Sequence, residues 1–203
     1  MAQNLGVPCQ PVVKKGDRVL MGQKLGDSEA FVSAPVLSSV SGTVKDIALR
    51  MTSAGIYEDC VIVENDNLYE KDPSWAPIEN YAEADPKEYL KRIREAGIVG
   101  FGGATFPTAV KLSPPPDRVI RWLIVNGVEC EPYINCDNRL KLEEPEKIAE
   151  GLSLLLRLFP EAQGVIGIEN NKPYAIKTMQ SVIAERGDSG ISVVPLEVKY
   201  PQG

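Results

Sequence analysis

The chain has 203 residues, 43% hydrophobic and 25% charged, enough apolar side chain for one large or two small domains with real cores. A formal net charge of −6 argues against the basic stripe of a nucleic-acid groove and a polybasic membrane contact, and no apolar run approaches the ~20 residues of a membrane span. Histidine is absent, which excludes Ser-His-Asp and Cys-His catalysis and every histidine-containing metal site, so carboxylates, Lys, Tyr, thiols or a bound cofactor must supply any chemistry.

The opening stretch, MAQNLGVPCQ, lacks the charged and apolar parts of a signal peptide, so a cytoplasmic location is expected. Cys9, Cys60, Cys130 and Cys136 form no C-x-x-C pair, and their wide spacing predicts free thiols and no metal site. Residues 9–63 read as β. Gly16-Asp17 and Gly22 are turn signals between short Val/Leu segments. Ser41-Gly42 precedes a strand at Thr43–Leu49, and another strand centres on Val61, Ile62 and Val63. Strands this short, with glycine turns at this spacing, predict a small barrel or sandwich. The pattern GDRVLMGQKLG…SAPVLSSVSGTVKDI resembles the biotinyl/lipoyl-type barrel-sandwich hybrid. No lysine lies between Lys24 and Lys45 to carry a prosthetic group, so this half reads as scaffold or docking surface.

Residues 64–86 are acidic and carry Pro73, Pro77 and Pro86, with Trp75 and Tyr81 as expected packing anchors. Asp85 caps a helix opened by Pro86, with Tyr89, Leu90, Ile93 and Ala96 on its apolar face. From residue 97 the pattern becomes α/β. Ile120–Val125 reads as a buried strand, and Pro145 opens a helix whose stripe is Ile148, Leu152, Leu155, Leu156 and Phe159. GVIGIEN is a second strand. Asn171 is expected to cap a helix with Ile176, Met179, Val182 and Ile183 inward and Gly187 at its end, before the third strand, ISVVPLEV. Strands alternating with helices imply a mainly parallel sheet. The expected domains are residues 1–70, a linker over 71–86, and a Rossmann-like α/β domain over 87–203.

Two motifs carry the functional reading. GFGGATFPTAVKLS places three glycines within four positions, Gly100, Gly102 and Gly103, ahead of a short helix begun at Pro107-Thr108 and stopped by SPPP. A glycine loop feeding a helix N-terminus favours an anion, with Lys111 about one turn in and able to reach phosphate or an electron-rich ring. The dinucleotide fingerprint G-x-G-x-x-G is not met, because its third glycine position is Thr105. The second motif, VNGVECEPY, begins where the strand Ile120–Val125 ends, and open α/β sheets bind ligands outside the carboxyl ends of their strands. Asn126 offers amide donors and an acceptor for the edge of a heterocycle, and Glu129 and Glu131 offer acceptors for ribityl or ribose hydroxyls. A plain turn with solvated acids accounts equally well for this motif alone.

Together, GIVGFGGATFPTAVKLS and LIVNGVECEPYINCDNRL resemble the RnfC family, a component of the Rnf-type ion-translocating electron transport complex. GVPCQPVVKKGDRVLMGQKLG, FVSAPVLSSVSGTVKDI, IGIENNKPYAI and VKYPQG match the same family in order along the chain. The motifs are more weakly similar to the flavin-bearing, NADH-oxidising subunit of respiratory complex I. The resemblance implies a barrel-sandwich hybrid domain followed by a Rossmann-like domain. It implies FMN and NADH, with the flavin taking hydride from NADH and releasing single electrons. It assigns Gly100, Gly102, Gly103 and Lys111 to the loop side of the site, and Asn126, Glu129 and Glu131 to the strand-end side. Thr105 stands where the family has Gly, Ala109 where it has His, and Val128 where the complex I relative has an acid. Two [4Fe–4S] clusters bound by C-x-x-C-x-x-C-x-x-x-C-P runs are implied for a longer parent protein, and neither run occurs in this chain, which reads as a fragment. The implied partners are other subunits of a membrane electron-transport complex, with the chain peripheral on the cytoplasmic face. A docking module without nucleotide binding is one alternative. The related electron-transfer protein associated with proline reductase is another.

Overall fold

Glycines and prolines punctuate the first part of the chain so closely that no strand before residue 42 exceeds four residues. The computed structural model describes residues 1–53, 55–101 and 104–202. The chain forms two compact units, Met1–Pro115 and Pro116–Gly203.

In the first unit β1 (Gln10–Pro11), β3 (Lys24–Asp27) and β4 (Val36–Leu37) form one antiparallel sheet in the order β1-β3-β4. β2 (Arg18–Val19), β5 (Gly42–Met51) and β6 (Tyr57–Asn65) form a second, in the order β2-β5-β6. This is the expected barrel-sandwich-like β half. Val19, Leu25 and Val44 are its buried core, with Val13, Ile47, Val61 and Val63 packed against them. Gly42 is required where β5 starts, because a Cβ there would lie 2.0 Å from the Glu64 carbonyl oxygen.

Trp75 anchors the link, its Nε1 donating to the Gly22 carbonyl at 2.9 Å. Tyr81 is placed by the helix that follows it. It is 44% exposed, and its backbone carbonyl accepts the Tyr89 hydroxyl. Helix α1 (Pro86–Glu95) starts as expected, Asp85 accepting from the Lys87 N–H. It is tied to β3 by a closed ring of charges. Lys24 bonds Asp27 at 2.6 Å and Glu95 at 2.7 Å, while Arg94 bonds Asp27 and Glu95 at 2.9 Å each. Helix α2 is the single turn Thr108–Lys111. Both helices lie within the first compact unit.

The second unit is a parallel sheet in the order β7-β8-β9: β7 (Trp122–Gly127), β8 (Gln163–Glu169) and β9 (Ile191–Leu196). Helices α3 (Cys136–Glu143), α4 (Pro145–Leu156) and α5 (Pro173–Arg186) connect them. Alternation divides β8 between two faces. Ile166 and Ile168 join Ala149, Leu152, Ala175, Met179, Val182 and Ile183 in a core shared by sheet and helices. Val165, Gly167 and Glu169 stand on the opposite face. Gly187 ends α5 in the left-handed conformation, as its position predicts. Asn171 does not cap α5; Lys172 occupies the cap position without a side-chain bond. Phe159 lies beyond the end of α4. Among the described residues no helix is long and apolar enough to cross a membrane.

The charge ring generates a pH prediction. Burial alone would raise the Asp27 pKa, but hydrogen bonds from Arg94 and Lys24 outweigh it and lower the value from 3.8 to about 2. A lowered carboxylate contributes stability that is present above its ordinary pKa and is lost as pH falls through the folded value. The thermal midpoint should drop between pH 4 and pH 2. Asp27→Asn should flatten that drop and remove on the order of 2 kcal/mol at neutral pH, read from urea unfolding.

Candidate functional site

The glycine stretch is held by backbone pairing across its ends. Val99 and Pro107 form an antiparallel bridge, the Gly100 N–H donates to the Phe106 carbonyl at 3.0 Å, and the Thr108 N–H donates to the Ile98 carbonyl at 3.0 Å. Phe101 is almost fully exposed. Gly102 and Gly103, both expected site residues, lie outside the described residues. Thr105 takes a left-handed φ of 51°, a conformation that glycine adopts freely and a β-branched residue resists. Lys111 ends α2 and folds back over the loop, its Nζ 3.0 Å from where a Cβ on Gly100 would stand. Two of the expected loop residues are therefore adjacent, with an ammonium over bare backbone.

The strand-end residues belong to the second unit. Asn126 is exposed at the carboxyl end of β7, and its Oδ1 accepts from the Val128 N–H at 3.1 Å, closing the turn. Glu129 is buried, and its two oxygens accept from the Asp137 and Asn138 N–H groups at 2.9 and 3.2 Å. It satisfies the open N–H groups at the start of α3, where a negative charge is also favoured by the helix dipole. Glu131 is exposed. Glu129, Cys136 and Asp137 bring one ligand atom each within 4.8 Å of one another, an arrangement that the helix cap accounts for. No disulfide joins the four cysteines, as their spacing predicts.

Two residues with strong chemistry at this edge escape a reading of the sequence. Lys141 on α3 is only 3% exposed and donates to the Gly127 carbonyl at 2.6 Å. Burial pushes its ammonium pKa down, while the charges of Asp137, Glu129 and Glu169 oppose that fall. Glu169, at the carboxyl end of β8, is 1% exposed, and neither carboxylate oxygen has a hydrogen-bond partner among the described residues. A Lys in a polar helix and an acid after an apolar strand look ordinary in one dimension. The usable signal was the position of Glu169 directly at a strand end.

A cavity of about 1080 Å³ lies within the first unit, between the N-terminal segment, β4 and β6. Its lining includes Glu58 and Asp59 but no Lys or Arg side chain, so it does not suit a phosphate. In the first unit Lys111 offers a cation for phosphate. In the second, Asn126 offers an amide for a ring edge, and Glu131 and the orphaned Glu169 offer acceptors for hydroxyls.

Comparison with known proteins bears on both units. Residues 93–203 match the family model described as the Nuo51 FMN-binding domain, and residues 1–68 match that of the RnfC barrel sandwich hybrid domain. The chain is 42% identical, over its whole length, to the C subunit of the Na(+)-translocating ferredoxin:NAD(+) oxidoreductase complex of Acetobacterium woodii, of which it covers 45%. It is 42% identical over 99% of its length to the proton-translocating counterpart from Clostridium ljungdahlii, covering 43% of that protein. It is 36% identical to the C subunit of the ion-translocating oxidoreductase complex of Haemophilus influenzae, aligned over all of this chain and 31% of that one. The chain spans less than half the length of each of these relatives. These matches bear out the resemblance to RnfC read from the motifs. Among solved structures, an NAD+-reducing [NiFe]-hydrogenase in the air-oxidised state superposes with a TM-score of 0.50 at 24% identity. That match covers 62% of this chain and 24% of the hydrogenase chain, and it supports the fold.

Two stability outcomes follow from the site geometry. Thr105→Gly should relieve the left-handed strain and raise unfolding free energy by about 1 kcal/mol in urea titrations. Glu129→Ala should leave the α3 N–H groups without their acceptor and cost about 1–2 kcal/mol in the same measurement.

Proposed function

The chain belongs to the family of Nuo51 FMN-binding domains, and from that premise we propose that it is the FMN- and NADH-binding portion of an electron-transfer subunit. The parent assembly in this reading is a membrane-associated, ion-translocating NADH:ferredoxin-type oxidoreductase complex. The names of the relatives from Acetobacterium and Clostridium support it. The observation that carries the reading is the Lys111 ammonium lying against Gly100, inside the stretch matched by the FMN-binding family.

In this reading each residue has a distinct task. Gly100, Gly102 and Gly103 leave the loop backbone bare so that a phosphate can approach its N–H groups. Lys111 neutralises that phosphate. Asn126 bonds a ring edge, and Glu131 accepts from hydroxyls. Glu129, whose oxygens already serve α3, holds the turn that presents Asn126. Bound there, FMN supplies the exchange between a two-electron donor, NADH, and one-electron acceptors. Iron–sulfur centres in the remainder of the longer protein would receive the electrons. The partners are NADH and the other subunits of the complex, with the chain peripheral on its cytoplasmic face.

A second reading, a docking module, draws support from the apolar end of the β5–β6 hairpin. Leu49, Met51, Ile56 and Tyr57 are all exposed there.

The two readings separate in one titration. The purified chain is mixed with FMN and titrated with NADH while the visible flavin absorbance is followed. Bound FMN that NADH reduces supports the first reading, and an absence of binding supports the second. Lys111→Ala should weaken FMN about tenfold or more while moving the thermal midpoint little. Equal losses in affinity and stability would give Lys111 a structural role.

A further inference from the structure

Parallel pairing places Asn126 of β7 directly beside Gly167 of β8, and directly paired residues share a face of the sheet. Glu169 stands two residues beyond Gly167, on that same face. Gly167 contributes no side chain between them, and a Cβ there would come within 3.0 Å of Leu196 Cδ1. Ile166 and Ile168 point the other way, into the core shared with the helices. The carboxyl edge of one sheet face thus carries an amide and a carboxylate, with Leu196 packed against the glycine between them.

That carboxylate is unusual. Glu169 is 1% exposed, yet neither oxygen has a partner among the described residues. The Lys141 ammonium feels its charge but spends its bond on the Gly127 carbonyl. A buried carboxylate left in this state is unfavourable unless something supplies donors. In doubly wound nucleotide-binding sheets, the donors met by an acid at a neighbouring strand end are sugar hydroxyls.

Resting on the functional reading above, we propose that Glu169 is a further binding residue of the site, accepting hydrogen bonds from the vicinal hydroxyls of the bound nucleotide. Two sources carry that chemistry, the ribityl chain of FMN and a ribose of NADH. An NADPH-type 2′-phosphate would meet Glu169 as a like charge, so the residue also disfavours the phosphorylated dinucleotide.

The test compares the whole chain with its Glu169→Gln variant, using FMN, lumiflavin (which lacks the ribityl hydroxyls), NADH and NADPH as probes. Binding is read by flavin or nicotinamide fluorescence, and the thermal midpoint is read without ligand. A loss of about tenfold or more for FMN, with lumiflavin unchanged, supports the proposal and assigns the ribityl chain. A similar loss for NADH, with the preference over NADPH narrowed, supports it and assigns the ribose. Removing an unpaired buried charge should leave the ligand-free midpoint unchanged or raised. A lowered midpoint would reveal a structural partner for Glu169 and overturn the proposal. Unchanged binding of all four probes, or equal loss for all four, overturns it while leaving the functional reading in place. Failure of the unsubstituted chain to bind FMN and NADH overturns the functional reading and this proposal together.

Discussion

The carboxyl edge of the parallel sheet is organised around a buried ammonium. Removing Lys141 from water is unfavourable unless its protons are bonded and opposite charge lies near. The Gly127 carbonyl provides the bond, and Asp137, Glu129 and Glu169 provide the charge. Because Lys141 sits on α3 and Gly127 ends β7, this requirement sets where the helix stands relative to the strand. Glu129 makes the reciprocal tie, running from the turn after β7 back to the first N–H groups of α3. The connection between strand and helix is thereby held from both directions. Asn126 and Glu131 are displayed from a frame whose polar groups are mostly satisfied.

Within that frame Glu169 is the exception. Buried polar groups in folded proteins are nearly always paired, and an unpaired one calls for a reason. The alternation of β8 explains how the same strand serves two purposes. Ile166 and Ile168 build the core, while Gly167 and Glu169 face the side shared with Asn126. Core packing on one face therefore fixes polar placement on the other, with a register set by the parallel pairing.

The first unit solves a different problem. Its strands are short, and its buried apolar core is small. Alternating charges compensate by bolting α1 to β3 through Lys24, Asp27, Arg94 and Glu95. The loop that follows α1 is shaped by the pairing of Val99 with Pro107 and by the left-handed Thr105, which leave Lys111 beside Gly100.

The features legible in one dimension were those whose causes are local. Asp85 before Pro86 caps α1 because the capping oxygen and its N–H are two residues apart. Gly187 ends α5 because the left-handed region favours glycine. The three parallel strands showed as apolar runs, and the Ile176–Ile183 stripe showed by its period. The motifs bearing Gly100, Lys111, Asn126, Glu129 and Glu131 were legible as patterns. What each side chain bonds to was not. Helix α3 went unread because it has no apolar stripe, and its support comes from Glu129 and Lys141, residues satisfied across the fold. Asn171 carries a capping side chain, but the helix begins one residue later than that role needs, with Lys172 at the cap. Glu129 emerged as a helix cap, and Glu169 as an orphan, only once the strands had paired. Local propensity is written in neighbouring residues, whereas the pairing of a buried charge depends on which distant donors the folded chain brings to it.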